Sequence, residues 1–186
     1  MILTADRYDS IESIRAEITT DNGCVILGNG SSLNRLNFDL IGQYFTIGVN
    51  RIGRIFTPDV HCKLDNYPFE TDSPAKVSGK IYKMDGYIRT AYKHPSIVLA
   101  LWVGFDLGFR TFYLCGADFK GDYFWGADPN KFQHNPRYHK DITSSQIHRI
   151  KFFESITNEL GGTVYNCSDD SVIDFLEYTD LFYKDK

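Results

Sequence analysis

No stretch of this 186-residue chain carries the roughly 20 consecutive apolar residues that a membrane-spanning helix needs. The opening Met1-Ile2-Leu3-Thr4-Ala5-Asp6 lacks the basic and apolar regions of a secretory signal, so a cytoplasmic protein is expected. The four cysteines, Cys24, Cys62, Cys115 and Cys167, stand far apart without the paired spacing of a zinc motif. Three of them fall in apolar, strand-like surroundings and are expected to be reduced core residues. There is no Asp-x-Asp and no Walker-type Gly-x-x-x-x-Gly-Lys-Ser/Thr. Metal-clamped and P-loop chemistries therefore lose ground, and neither a metal nor a cofactor is expected. A net charge of −4 and a pI near 5.7 leave no broad basic footprint for nucleic acid, although a local basic groove stays compatible with the balance. What is abundant is aromatic residues, at 15% of the chain. They suit a core rich in Phe and Tyr, and some of the tyrosines suit the wall of a ligand cleft.

The pattern of what remains is that of an α/β fold: a single Rossmann-like domain over 1–186, with a mainly parallel sheet flanked by helices and an inserted lid-like loop. Ser10 to Thr19 has helical periodicity in Ile11, Ile14 and Ile18. Strands are expected at Cys24 to Leu27, Phe45 to Val49, Pro58 to Asp65, near Lys80 to Met84, Thr111 to Cys115 and Thr163 to Cys167. Between them, Ser96 to Leu107 reads as a buried helix stopped by Gly108, and Thr143 to Leu160 as a second. Ser171 to Tyr178 reads as a short last helix. The stretches 67–91 and 120–141, broken by Gly and Pro, are expected to be irregular lid or active-site loops.

The stretch that organises this pattern is Val25-Ile26-Leu27-Gly28-Asn29-Gly30-Ser31-Ser32-Leu33, an apolar strand ending in small polar residues. Gly28 and Gly30 permit a sharp turn and a close ligand, and the serines suit a helix N-terminus whose free N–H groups face an anion. An ordinary strand-turn-helix connection explains the pattern equally well. Asn50 follows the second strand and Asp118 the fifth, so three polar residues stand just past strand ends, where open α/β sheets bind ligands. Asp118 suits a ribose hydroxyl, or equally a cap.

The order Gly28-Asn29-Gly30-Ser31-Ser32-Leu33, Val49-Asn50-Arg51, Phe112-Tyr113-Leu114-Cys115-Gly116-Ala117-Asp118-Phe119 and Tyr165-Asn166-Cys167-Ser168-Asp169-Asp170-Ser171 resembles the bacterial sialyltransferases that use CMP-sialic acid, from about Cys24 to Tyr178. A related, competing resemblance is to the 6-hydroxymethylpterin diphosphokinase-like family, which shares a Gly-x-Gly-x-Ser turn. The first resemblance implies donor-nucleotide contacts from Gly28, Asn29, Gly30, Ser32, Asn50, Ser96 and Asp118. It implies phosphate or sugar contacts from Lys93, Lys120 and Tyr123, and a general base at His139. The sequence departs from that family in reading Ser31 for a turn proline, Lys120 for a tyrosine and Lys93 for an arginine. The lysines would act as point charges rather than forks.

The expected activity is transfer of a sugar from a nucleotide-activated donor, CMP-linked and sialic acid-like, to a hydroxyl of a glycan or other acceptor. Such transfer needs a base for the acceptor hydroxyl and donors for the departing phosphate, tasks that suit His139 on one side and tyrosine, lysine and helix N-termini on the other. His139 as an exposed loop residue is the competing reading. Two other functions stay open: a pterin-type pyrophosphokinase, which would need ATP and Mg²⁺, and a non-catalytic nucleotide-binding module. A nucleic acid acceptor and a homo-oligomer also remain open as partners.

Overall fold

The computed structural model describes residues 11–19, 21–62, 80–82, 95–120, 123, 124, 126 and 136–184. Among them seven strands form one sheet: β1 (Cys24–Leu27), β2 (Phe45–Val49), β3 (Val60–Cys62), β4 (Lys80–Tyr82), β5 (Thr111–Cys115), β6 (Thr163–Asn166) and β7 (Glu177–Tyr178). Their spatial order is 4-3-2-1-5-6-7, and every neighbouring pair is parallel. The helices are α1 (Ile11–Ala16), α2 (Phe38–Ile41), α3 (Ser96–Asp106) and α4 (Pro136–Glu159), with 3₁₀ turns at Ser31–Arg35 and Ile52–Arg54. The α/β fold with a parallel sheet is the one the sequence leads to.

The strand sequences explain the layering. β1 and β2 are buried along their whole length, as strands covered on both faces must be. One face carries Cys24, Ile26, Ile47, Val49, Phe112 and Leu114 against the apolar α3. Phe153 of α4 is fully buried there, with its ring edge-on to Phe112 at 5.2 Å and to Trp102 at 5.0 Å between centroids. The other face carries Val25, Leu27 and Cys115 against Leu33, Leu36, Ile52 and Phe182, so the last residues of the chain close the second core. In register, Leu27 stands beside Gly48 on one side and Cys115 on the other. The chain runs outward through β2, β3 and β4 on one side of β1, then returns to β5 on the other. The carboxyl ends of β1 and β5 are therefore the switch point at which such sheets open a crevice.

Two expected elements differ. The second long helix starts at Pro136 rather than Thr143, so the expected irregular stretch 120–141 is helical from 136 onward. A proline suits the first turn of a helix, where its missing N–H has no partner to lose. The stretch 171–178 is not a helix but a series of bends leading into β7. Its backbone is claimed elsewhere: Val172 N–H donates to Asp118 O at 3.1 Å, Ile173 N–H to Ser171 Oγ, and Asn166 Nδ2 to Ile173 O. Of the expected lid at 67–91 only 80–82 fall among the described residues, as β4, and residues 63–65 of the expected third strand lie outside them. Among the described residues no helix is long and apolar enough to cross a membrane.

All four cysteines are buried and free. Burial pushes the Cys62 thiol up to about 12 and those of Cys24 and Cys115 well above their usual range. In native protein at about pH 8 they stay silent to a chromogenic disulfide reagent, and all react once the chain is unfolded in denaturant. Fast reaction of even one thiol in the native state contradicts this packing.

Candidate active site

The Gly28–Ser32 turn leaves β1 directly beneath the segment that leaves β5. Gly28 N–H donates to Cys115 O and Gly30 N–H to Gly116 O, each at 2.8 Å. A Cβ on Gly28 would lie 2.3 Å from Gly116 O, and one on Gly30 2.4 Å from the Asp118 carboxyl carbon. The missing side chains therefore make room for this chain's own backbone and carboxylate, not for a ligand. Gly30 has an ordinary φ of −67°, and Gly28 is likewise free of positive φ.

The expected anion at the start of the following turn is present, and it is Asp118. Its carboxylate is buried, 4% exposed, and accepts from the Ser32 N–H at 2.8 Å and from the Ser32 hydroxyl. Ser32 Oγ also lies 3.0 Å from Ser168 Oγ, beyond β6. Ser171 Oγ donates to Ala117 O at 2.8 Å. The carboxylate thus ties the loop after β5 to the turn after β1, and Ser32 and the Ala117 carbonyl bring the loop after β6 into the same cluster. Asp118 and Ser32, expected at the nucleotide, are bonded to each other inside the protein, where the close turn puts both. Ser168 and Ser171 had no role assigned from the sequence. Their signal was the run of short polar residues at 168–171 directly after a strand.

Asn29 joins the ends of β1 and β2: its Nδ2 donates to Val49 O at 3.2 Å and its Oδ1 accepts from Arg51 N–H at 3.1 Å. Asn50 follows with a left-handed φ of 52°, and its exposed side chain accepts at Oδ1 from Ser96 Oγ at 2.9 Å. Asn29, Asn50 and Ser96 are thereby brought together, and Ser96 opens the 11-residue α3. The non-glycine residues with positive φ among the described residues are Asn50 and Phe119, directly past β2 and just past β5. Strained backbone gathers where a fold builds a site.

Tyr123 is half-buried and pairs by backbone with Gly30, while Phe124 N–H donates to Asn29 O at 3.0 Å. These residues lie across the turn. Lys120 forms an exposed ion pair with Asp170, and that partner holds the Asp170 carboxyl below its usual range. Nearby, Arg35 grips Asp169 with both terminal nitrogens, at 2.6 and 2.9 Å, and stacks over Tyr183. Lys93 lies outside the described residues. His139 is the fourth residue of α4 rather than a loop residue ahead of it, and its side chain lies outside the described residues. A separate cavity of about 400 Å³, lined by Glu17, Gln43, Tyr44 and Asp59 among others, opens at the opposite, amino ends of the strands. It gathers none of these groups.

No family model and no curated protein sequence matches the chain. Solved structures do. The monofunctional α-2,3-sialyltransferase Cst-I from Campylobacter jejuni is 15% identical with a TM-score of 0.55, over 97% of this chain and 87% of that one. CstII from Campylobacter jejuni with cytidine-5′-monophosphate is 13% identical with a TM-score of 0.55, over 90% and 89%. The sialyltransferase CST-II with a trisaccharide acceptor and CMP is 14% identical with a TM-score of 0.55, over 88% and 89%. This chain has their fold. The parallel α/β architecture expected from the sequence is met both in the strand order and in these neighbours.

Asp118→Ala strands the Ser32 N–H in the interior, leaves its hydroxyl with Ser168 alone, and lowers stability by about 2 kcal/mol in urea unfolding. Asn29→Ala, which removes two partly buried bonds, costs about 1 kcal/mol. An Asp118→Ala variant as stable as the parent contradicts the central role of this carboxylate.

Proposed function

We propose that the chain is a glycosyltransferase that moves a sialic acid-like sugar from a CMP-linked donor to an acceptor hydroxyl. The observation that carries this reading is the meeting of Asn29, Asn50 and Ser96 at the carboxyl ends of β1 and β2, in a fold whose solved neighbours hold CMP. In this reading the nucleotide lies across those strand ends, with amide and hydroxyl groups for its polar atoms. Gly28, Gly30, Ser32 and Asp118 serve by holding the turn in place before the ligand arrives. Such preorganisation costs nothing at the moment of binding.

The chemistry follows from what transfer demands. A base must take the acceptor proton as the hydroxyl attacks, and we assign that task to His139. The departing phosphate gathers charge and needs donors, for which Lys93, Lys120 and Tyr123 are the candidates. Lys120 stands ready for this because its ion pair with Asp170 is exposed, and such pairs contribute little and exchange readily for a substrate anion. The acceptor in this reading is a glycan or another hydroxyl-bearing molecule.

Thermal shift with CMP, UMP, ATP and a pterin tests the donor. CMP at about 100 times its Kd stabilises the protein by about 2.7 kcal/mol, while ATP and pterin leave its melting unchanged. Stabilisation by ATP and pterin with CMP silent contradicts the proposal. In a transfer assay with CMP-sialic acid, His139→Ala keeps CMP binding and loses about 100-fold or more of turnover. Lys120→Ala lowers kcat more than it raises KM. Binding of CMP without any transfer points to a nucleotide-binding module and contradicts the enzymatic part.

A further inference from the structure

His61 is a buried histidine beside this site, 4% exposed, for which the transfer reading has no task. It lies in β3 in register with Gly48 of β2. Its ring sits under the Ile52–Arg54 turn: a Cβ on Gly53 would lie 3.6 Å from Cε1 and 3.9 Å from Nδ1. The ring Nε2 is 2.7 Å from the carbonyl oxygen of Asn50. A carbonyl can only accept, so Nε2 carries the proton. Asn50 N–H in turn donates to Cys62 O at 3.3 Å. Both backbone polar groups of Asn50 are thus bound to β3.

That anchoring matters because of the conformation it holds. A non-glycine residue in the left-handed region loses about 1–2 kcal/mol, and asparagine pays less than most but still needs its surroundings to keep it there. From this conformation the Asn50 side chain meets Ser96 Oγ through its oxygen. The amide nitrogen is left as a donor, with no hydrogen-bond partner among the described residues. The peptide after Asn50 is held at its carbonyl by His61 and at the Arg51 N–H by Asn29 Oδ1, so release of the carbonyl leaves one hold of two and loosens the aim of both Asn50 and the Ser96 contact.

We propose that His61 is a positioning residue for the nucleotide: its Nε2–H locks the left-handed Asn50 turn from which the Asn50 amide and Ser96 meet the ligand. This rests on the nucleotide reading above. A histidine that merely fills the core would affect stability alone, whereas a positioning residue changes affinity in protein that is fully folded.

The test is calorimetric titration of CMP into the parent, His61→Gln, His61→Leu, Asn50→Ala and the double variant His61→Leu/Asn50→Ala, each verified as folded. Glutamine carries a donor that reaches the same carbonyl, and leucine fills the space without one. His61→Leu weakens CMP binding about tenfold, the loss that one ordinary hydrogen bond carries, while His61→Gln stays within about threefold of the parent. The double variant binds no more than about twofold weaker than Asn50→Ala, because both changes remove one coupled unit. Should His61→Leu fail to fold, His61→Asn takes its place, with a donor too short to reach the carbonyl and the same expected loss. Parent-like affinity in His61→Leu overturns the positioning role, as do losses that multiply in the double variant or a His61→Gln as weak as His61→Leu. A parent protein that binds no CMP overturns instead the nucleotide reading on which the role rests.

Discussion

A single buried carboxylate organises the end of this sheet. Asp118 sits where β5 stops, and it accepts from the backbone and hydroxyl of Ser32, which leaves β1. Burying a carboxyl group is costly unless donors meet it, and here the donors come from a turn 86 residues earlier in the chain. The arrangement explains its own sequence: Gly30 has no side chain because Asp118 occupies that volume, and Gly28 has none because Gly116 O does. Ser168 then joins Ser32, and the loop after β6 is carried into the same cluster.

With that turn held, the polar groups that we propose meet the nucleotide are left to the neighbouring strand. Asn29 reaches across to Val49 and Arg51, and Asn50 takes a left-handed turn braced by His61 and Cys62. The buried carboxylate cluster and the exposed Asn50–Ser96 pair thus stand on the two sides of β1, past β5 and past β2. The ion pairs Arg35–Asp169 and Lys120–Asp170 ring the outside of the cluster. Being exposed, they add little to stability, yet they keep two cations close to the crevice.

Much of the sheet was legible in the sequence because its strands are continuous apolar runs bounded by glycine and asparagine. β1, β2 and β5 begin and end at the residues expected, and α3 ends at Asp106, with Leu107 as its cap and the left-handed Gly108 just beyond as the expected stop. The start of α4 was not, since Pro136 reads as a break in a loop although proline fits the first turn of a helix. Nor was the fate of 171–178, where Asn166 and Asp118 bind backbone groups that a helix would use. The site was half legible. That Asn29, Asn50 and Ser96 gather follows from their places at strand and helix ends, whereas Asp118, at a strand end too, bonds to Ser32 instead. Whether the glycines and Ser32 admit a ligand or the chain's own carboxylate depends on contacts far apart in sequence, which no local pattern encodes. The bracing of Asn50 by His61 belongs to the same class.

The reading of the site stands or falls on where a nucleotide touches the protein. A titration of CMP into ¹⁵N-labelled protein, followed by amide and side-chain amide NMR signals, locates that contact directly. The account predicts shifts concentrated at Asn29, Asn50, Arg51, Ser96 and Ile97, at the carboxyl ends of β1 and β2. Shifts at Gln43, Tyr44 and Asp59 around the cavity at the amino ends of the strands, or no shifts at saturating CMP, would contradict it.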